Sequence, residues 1–527
     1  MKNAFVLFVA AMVMTLGQAK LVAAQEPAPA AAPGAQAKPA EAKPASDASA
    51  PPKEESSVTD HTIRIGGQTI PYKATASTTL LKDDKGEPTA TIFSIAYTRT
   101  DAKDLTQRPV AFIYNGGPGS ASLWLHMGAF GPRRVVTQNA APTGPGPYQL
   151  VDNASSLLDK ADLVFIDPVG TGFSRPAGKA QNKDFWGIDQ DVKSLAQFIT
   201  IYVSRNGRWN SPKFLIGESY GTFRSAVLGN YLQDHNGVYL NGIVLISTVL
   251  DLSTLEFNTG EDLPYIFYVP SYAASAWYYK TLKNRPDDLD AFLKDARQFA
   301  ATEYAAALMK GSSLSDAEKA DMAKKLSGFT GLSEDYLVKA DLRVTLPQFE
   351  AELERSRGLT VGRYDSRYSG ATYDLLTEGA EYDPSYSAVS GAFTAALNSY
   401  LRDDLKFNPE MTYEKLNAEI SRNWDWKHNL AGGETFGPAT ANVEGDLVNA
   451  FIVNPSLQVQ VENGFFDMAT PFFATEYTMD HLELPANLRS RIHFEYYPSG
   501  HMIYLNEKTL PTLKENIAAF IDSATKP

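Results

Sequence analysis

Short runs of uninterrupted apolar residues recur through the chain: Val110-Ala111-Phe112-Ile113-Tyr114, Leu163-Val164-Phe165-Ile166, Phe214-Leu215-Ile216 and Ile243-Val244-Leu245-Ile246. Runs of this length without polar alternation fit strands covered on both faces, as in a parallel sheet. Between the second and third lies an amphipathic stretch, 188–202, with Val192, Leu195, Ile199 and Tyr202 on one helical face, and 223–232 reads as another helix. Strands alternating with helices predict a doubly wound, mostly parallel α/β sheet. Two earlier segments, Ile63-Arg64-Ile65 and Thr91-Ile92-Phe93-Ser94-Ile95-Ala96-Tyr97, alternate and predict antiparallel strands.

The rhythm breaks between about 252 and 442, where the chain is polar and helix-rich, with amphipathic stretches at 287–309 and 315–326. It resumes at Leu457-Gln458-Val459-Gln460-Val461 and Ile492-His493-Phe494-Glu495-Tyr496, before a closing helix over 510–521. The expected organisation is one sheet domain in two parts, 60–251 and 443–527, interrupted by a helical insertion at 252–442. The aromatic clusters Tyr265-Ile266-Phe267-Tyr268 and Trp277-Tyr278-Tyr279 are expected to pack inside that insertion, and Trp424-Asp425-Trp426 fits packing or a cleft wall.

The N-terminus has a different texture. Lys2, an apolar run over 4–16, and small residues ending Val22-Ala23-Ala24 match a signal peptide at 1–24 cleaved before Gln25. The apolar run is shorter than the ~20 residues a spanning helix needs, so the mature chain is expected to lack a membrane span and to be periplasmic or secreted. From 25 to 59 the chain is Ala/Pro-rich and reads as a disordered linker.

Composition narrows the chemistry. With 48 basic against 61 acidic residues the net charge is −13, which argues against a nucleic-acid partner. The chain has no cysteine, which removes disulfides, thiol nucleophiles and cysteine zinc sites. No histidine–carboxylate cluster has metal spacing, so neither metal nor other cofactor is expected.

Several short segments follow directly on predicted strand ends, where open α/β sheets place their sites. Gly217-Glu218-Ser219-Tyr220-Gly221 is a G-x-S-x-G between a strand and a helix, the context of a nucleophile elbow, and makes Ser219 the candidate nucleophile. A serine needs a base oriented by an acid, in the chain order Ser, Asp, His for this sheet type. His501, in a Gly-containing loop after the last strand, is the best placed of seven histidines. Asp467 follows the penultimate strand; Glu462, still within that strand, and Asp480, in an expected helix, are weaker rivals. Asn115-Gly116-Gly117-Pro118-Gly119-Ser120 can aim backbone amides at one atom, which assigns an oxyanion hole to the Gly117 and Tyr220 amides. A phosphate loop is excluded, because no Gly-Lys-Ser/Thr follows.

Together with Asp167-Pro168-Val169-Gly170-Thr171-Gly172-Phe173-Ser174 and Gly500-His501, these motifs resemble the serine carboxypeptidase family of α/β-hydrolases over 110–252 and 457–504. The resemblance implies a Ser219–His501–Asp467 triad, peptide substrates, and a role for Asn115, Gly116 and Glu218 in holding the peptide's terminal carboxylate. Two departures stand out: Ala129 occupies the place of a second acid that family members carry before the Phe130-Gly131-Pro132 segment, and the disulfides of eukaryotic members are missing. With the leader, the latter points to a secreted bacterial member. The expected activity is that of a serine-type carboxypeptidase. An esterase or acyltransferase of the same fold, or a catalytically silent binding protein, remains the alternative, and nothing in the chain sets an oligomeric state.

Overall fold

The computed structural model describes residues 53–428 and 441–526. The expected signal peptide and most of the expected linker lie outside the described residues.

Nine strands form the backbone of a ten-stranded sheet: β1 (Ser56–Ile65), β2 (Gln68–Lys82), β3 (Pro88–Arg99), β4 (Val110–Tyr114), β5 (Asp162–Ile166), β6 (Lys213–Glu218), β7 (Gly242–Ile246), β8 (Gln458–Gly464) and β9 (Ile492–Tyr497). Their order is β1-β2-β3-β5-β4-β6-β7-β8-β9, with the two-residue strand Arg175–Pro176 added beside β3. The first three form an antiparallel meander, β3 is antiparallel to β5, and every later pairing is parallel. All residues of β4, β5, β6 and β7 are buried, which is why their sequences lack polar alternation.

The linker boundary at 59 requires correction. Ser56 to Thr59 already pair with Ser77 to Ala74 in the outermost strand. An edge strand exposes every second side chain, so polar residues there satisfy the ladder while reading as spacer in composition. Its neighbour β2 has no counterpart among the predicted strands, although Ile70, Tyr72, Ala74 and Ala76 alternate inward; Pro71 within it argues against a strand.

Helices α1 (Ile188–Arg205) and α2 (Tyr220–Asn236) contribute to the core on one face of the sheet, and the closing helix Leu510–Ala524 to that on the other. The insertion is not one layer. Its helices Leu263–Tyr279, Leu289–Phe299 and Asp316–Thr330 share a third core with Phe465, Phe466, Met468 and Phe472, just beyond β8. Helix Pro384–Ser399 instead buries Val389, Ala392 and Phe393 in the core beneath the sheet. A following strap bridges back to the motif loops, pairing Leu416 with Ser120, Glu414 with Gly172, and Asp425 with Gly187.

The chain passes from β4 to β5 on one side and then to β6 on the other, so the connections diverge at the carboxyl end of β4. Such a switch point opens a crevice. Tyr114 lies opposite Gly217 in the register, which lays the loop after β4 against the turn after β6.

Candidate active site

The turn after β6 holds Ser219 at φ 60°, ψ −131°, a conformation costly for a residue with a Cβ. The glycines around it make the turn possible: a Cβ on Gly217 would sit 2.3 Å from the Gly221 carbonyl oxygen. The Ser219 amide donates to the Ile246 carbonyl (3.0 Å), and its carbonyl accepts from Thr222 N, fixing the turn between β7 and the start of α2. The serine is thereby raised above the sheet edge and is half-buried.

The loop after β4 comes as near as a backbone can. A Cβ on Gly116 would lie 2.4 Å from Tyr220 N and 2.6 Å from Gly221 N, and Gly117 sits at φ +107°. Among the described residues, neither the Gly117 nor the Tyr220 amide donates to a protein acceptor, and both residues line one cleft with Ser219 and His501. Two amides left open beside a serine hydroxyl are suited to a developing oxyanion.

His501 and Asp467 are brought together from the loops after β9 and β8. His501 Nδ1 lies 2.8 Å from Asp467 Oδ2, and both side chains are almost wholly buried. Asp467 is itself anchored: Oδ1 accepts from Ala469 N and Thr470 N, and Oδ2 from the Thr470 hydroxyl. The imidazole is held from behind by its own amide, which donates to Tyr364 O, and by the Tyr364 ring at 5.1 Å. Burial disfavours the imidazolium, but the Asp467 carboxylate, their hydrogen bond and Glu218 outweigh it, so the His501 pKa is raised. Nε2 is the nitrogen left for the serine. Among the described residues Ser219 Oγ makes no hydrogen bond to it, and in unliganded enzymes such contacts often tighten only with substrate. Of the rival acids, Glu462 is buried within β8 and bonded to Tyr497 and Gln460, while Asp480 is in helix Phe472–His481.

Glu218 and Asn115 meet in the same cleft. Asn115 Nδ2 donates to Glu218 Oε1 at 2.7 Å, and Asn115 Oδ1 accepts from Leu125 N. Burial pushes the Glu218 carboxyl up to about 7. Its Oε2 has no hydrogen-bond partner; the Tyr504 hydroxyl faces it without completing one. Ala129 is fully buried and does not line the cleft. The neighbouring Gly128 packs on the Tyr504 ring, so a phenol approaches Glu218 from this side. Behind Asn115, a buried Arg224–Asp191 ion pair joins α2 to α1, and Arg224 also donates to the Asn115 carbonyl at 2.7 Å.

Tyr504, Thr470, Arg224 and Arg363, which also lines the cleft, escaped sequence reasoning. Only Tyr504, three residues beyond His501, had a positional signal. Trp426 lines the cleft and Trp424 packs edge-on against Tyr220, whereas Phe267 and Tyr268 are buried among the inserted helices.

A family model described as serine carboxypeptidase matches residues 87–507. Among curated relatives, pheromone-processing carboxypeptidase KEX1 of Saccharomyces cerevisiae is 29% identical over 161 residues, 29% of this chain and 21% of that protein. Serine carboxypeptidase ctsa-3.2 of Caenorhabditis elegans is 27% identical over 145 residues, 26% of each. The matched region therefore spans only about a fifth to a quarter of these relatives. The crystal structure of KEX1(delta)P, a prohormone-processing carboxypeptidase from S. cerevisiae, superposes with a TM-score of 0.51 and 16% identity, covering 86% of this chain and 91% of that one, which shows a shared fold. With the model spanning most of the chain and an α/β-hydrolase sheet beneath the motifs, this protein belongs to the serine carboxypeptidase family.

Proposed function

We propose that this protein removes carboxy-terminal residues from peptides through an acyl-enzyme on Ser219. His501 Nε2 takes the hydroxyl proton as Ser219 Oγ attacks the last peptide carbonyl, and Asp467 holds the imidazole with Nδ1–H and stabilises its charged form. The oxyanion is received by the Gly117 and Tyr220 amides. His501 then gives its proton to the departing amine, and the reverse sequence with water releases the shortened peptide. The carrying observation is the Asn115–Glu218 pair in the cleft that contains Ser219 and His501. A carboxyl with its pKa pushed up to about 7 can be neutral and donate to a substrate carboxylate, while Asn115 and the Gly116 backbone complete the subsite.

One observation favours a second reading. Among the described residues lining the cleft Glu218 is the one carboxyl, which suits an esterase or acyltransferase whose donor has no terminal carboxylate. Export to the periplasm or the exterior rests on the leader sequence alone, and among the described residues no helix is long and apolar enough to cross a membrane. The helices between Leu263 and Thr330 are proposed as a cap that shapes substrate choice.

Labelling with a fluorophosphonate probe, followed by product analysis on peptides with free and amidated ends, tests the reading. Labelled Ser219 and products one residue shorter from free-carboxylate peptides are expected. Labelling without trimming would move the assignment to an esterase or acyltransferase, and a folded protein that resists the probe would be a binding protein.

A further inference from the structure

Two aromatic walls flank the cleft. One is Tyr220 with Trp424 and Trp426, at ring separations of 5.5 and 5.8 Å. The other joins Trp124 to Tyr386 (5.8 Å) and Tyr364 to the His501 ring, with the Arg363 guanidinium 5.6 Å from the Tyr364 centroid. Asp383 ties this second wall together: it caps helix Pro384–Ser399, which carries Tyr386, and accepts from the amides of Arg363 and Tyr364. Asn115 binds the amide of Leu125, next to Trp124. Asn115 and Glu218 thus line the same cleft as the wall that carries Arg363.

Arg363 has no counterpart there. Among the described residues its guanidinium makes no hydrogen bond or ion pair, and it is the one permanent cation lining the cleft, where it is exposed though packed around by protein. Of the acids nearest in its field, Asp383 serves backbone amides, and Glu350, whose Oε1 has no hydrogen-bond partner, is buried and pushed up to about 8, so it is largely neutral near pH 7. Glu218 lines the same cleft yet forms no pair with it. A guanidinium that lines a cleft without a hydrogen-bond acceptor has the donors to pair with a carboxylate.

We propose that Arg363 is a specificity-determining residue that pairs with the side-chain carboxylate of the residue to be released, so that peptides ending in Glu or Asp are preferred. The proposal rests on the carboxypeptidase reading and adds to it the class of terminal residue.

The test compares kcat/KM for free-carboxylate peptides differing only in a last residue of Glu, Ala or Lys, with a fourth carrying the acid one position earlier. The parent should favour Glu over Ala by about tenfold, a usual return for a charge-assisted pair. Arg363→Met should bring that ratio near one, and Arg363→Glu should turn the preference to Lys. The proposal is overturned by a parent ratio near one, by a ratio unmoved in both variants, by an equal loss on every peptide, which would make Arg363 a partner of the terminal carboxylate, or by a preference that follows the penultimate acid. If no peptide is trimmed at all, the carboxypeptidase reading fails separately. The same peptides titrated onto the Ser219→Ala protein then decide Arg363 by affinity, and equal or absent binding counts against it.

Discussion

Asn115 and Glu218, 103 positions apart, share a 2.7 Å hydrogen bond because β4 and β6 are neighbours in the sheet. That bond leaves Glu218 Oε2 unpartnered at the cleft, and burial pushes the carboxyl up to about 7. A neutral Glu218 donates to a peptide carboxylate; an ionised one repels it. KM for free-carboxylate peptides should therefore rise as pH passes about 7, by up to about tenfold per pH unit. Meanwhile kcat should not fall, because deprotonation of His501 favours the chemical step. Steady-state kinetics of Glu218→Gln should show a flattened KM profile. A profile identical to the parent's would remove Glu218 from carboxylate recognition.

Asp467, the acid of the proposed triad, is bound so that its protonation pattern matters. Asp467 Oδ2 accepts from both Thr470 Oγ and His501 Nδ1. In Asp467→Asn an amide group at that position donates instead, so the imidazole must carry its proton on Nε2 and cannot take one from Ser219. We expect kcat to fall by about 10³- to 10⁴-fold with little change in KM. A loss of less than tenfold in a folded variant would show that another residue orients His501.

Backbone proximity sets a different sensitivity. The Cβ of Gly116→Ala would meet two backbone nitrogens, at 2.4 and 2.6 Å, neither of which belongs to a flexible side chain. The loop must retreat from Tyr220, which would open the proposed oxyanion hole between the Gly117 and Tyr220 amides. The rate of fluorophosphonate labelling should drop by about 10²-fold or more. Gly221→Ala, whose nearest contact is Tyr114 O at 3.0 Å, should cost less. Equal losses in the two variants would mean that the separation of the two loops is not what the hole depends on.

The parts of this protein that could be read from its sequence are those in which one local pattern carries the whole signal. Buried runs such as Phe214-Leu215-Ile216 have little reading other than a covered strand, and a glycine precedes the Ser219 turn because a Cβ at Gly217 would meet the Gly221 carbonyl. The polar edge strand at Ser56 was hidden, since its stability comes from pairing with β2 rather than from apolar side chains. Arg363 and Tyr504 were hidden for another reason. Nothing around Arg363 in sequence marks a cleft, and Tyr504 has only its nearness to His501; Arg363 reaches the cleft through the fold of the insertion, and Tyr504 reaches Glu218 through the loop after β9. The strap at 405–428 carries one short helix, Ala418–Arg422, and is otherwise tied by isolated bridges to three separate loops, so no long period marks it.

That strap contains a pH-sensitive anchor. His428 Nδ1 meets Asp189 Oδ1 at 2.6 Å and Nε2 meets Asp446 Oδ2 at 2.8 Å, which joins the strap end to α1 and to helix Glu444–Val453. Burial disfavours the charged ring, but the two carboxylates outweigh it and hold the pKa at about 9. The folded value lies above the unfolded one of about 6.5, so this group's stabilisation is complete below about pH 6.5 and is lost as pH rises through about 9. A neutral imidazole has one N–H and can serve only one of the two carboxylates. Other buried acids, Glu218, Glu350 and Glu462, also destabilise the fold as pH rises, so the parent curve alone does not isolate His428. The difference from His428→Gln does. Thermal melts of the two proteins from pH 6 to 10 should differ most at the acidic end, on the order of 2 kcal/mol, and converge at the alkaline end. Because Trp424 and Trp426 lead directly into His428, the same variant should weaken peptide binding at pH 6 more than at pH 9.5. A stability difference independent of pH would show that His428 acts by packing alone, and would remove the charged anchor.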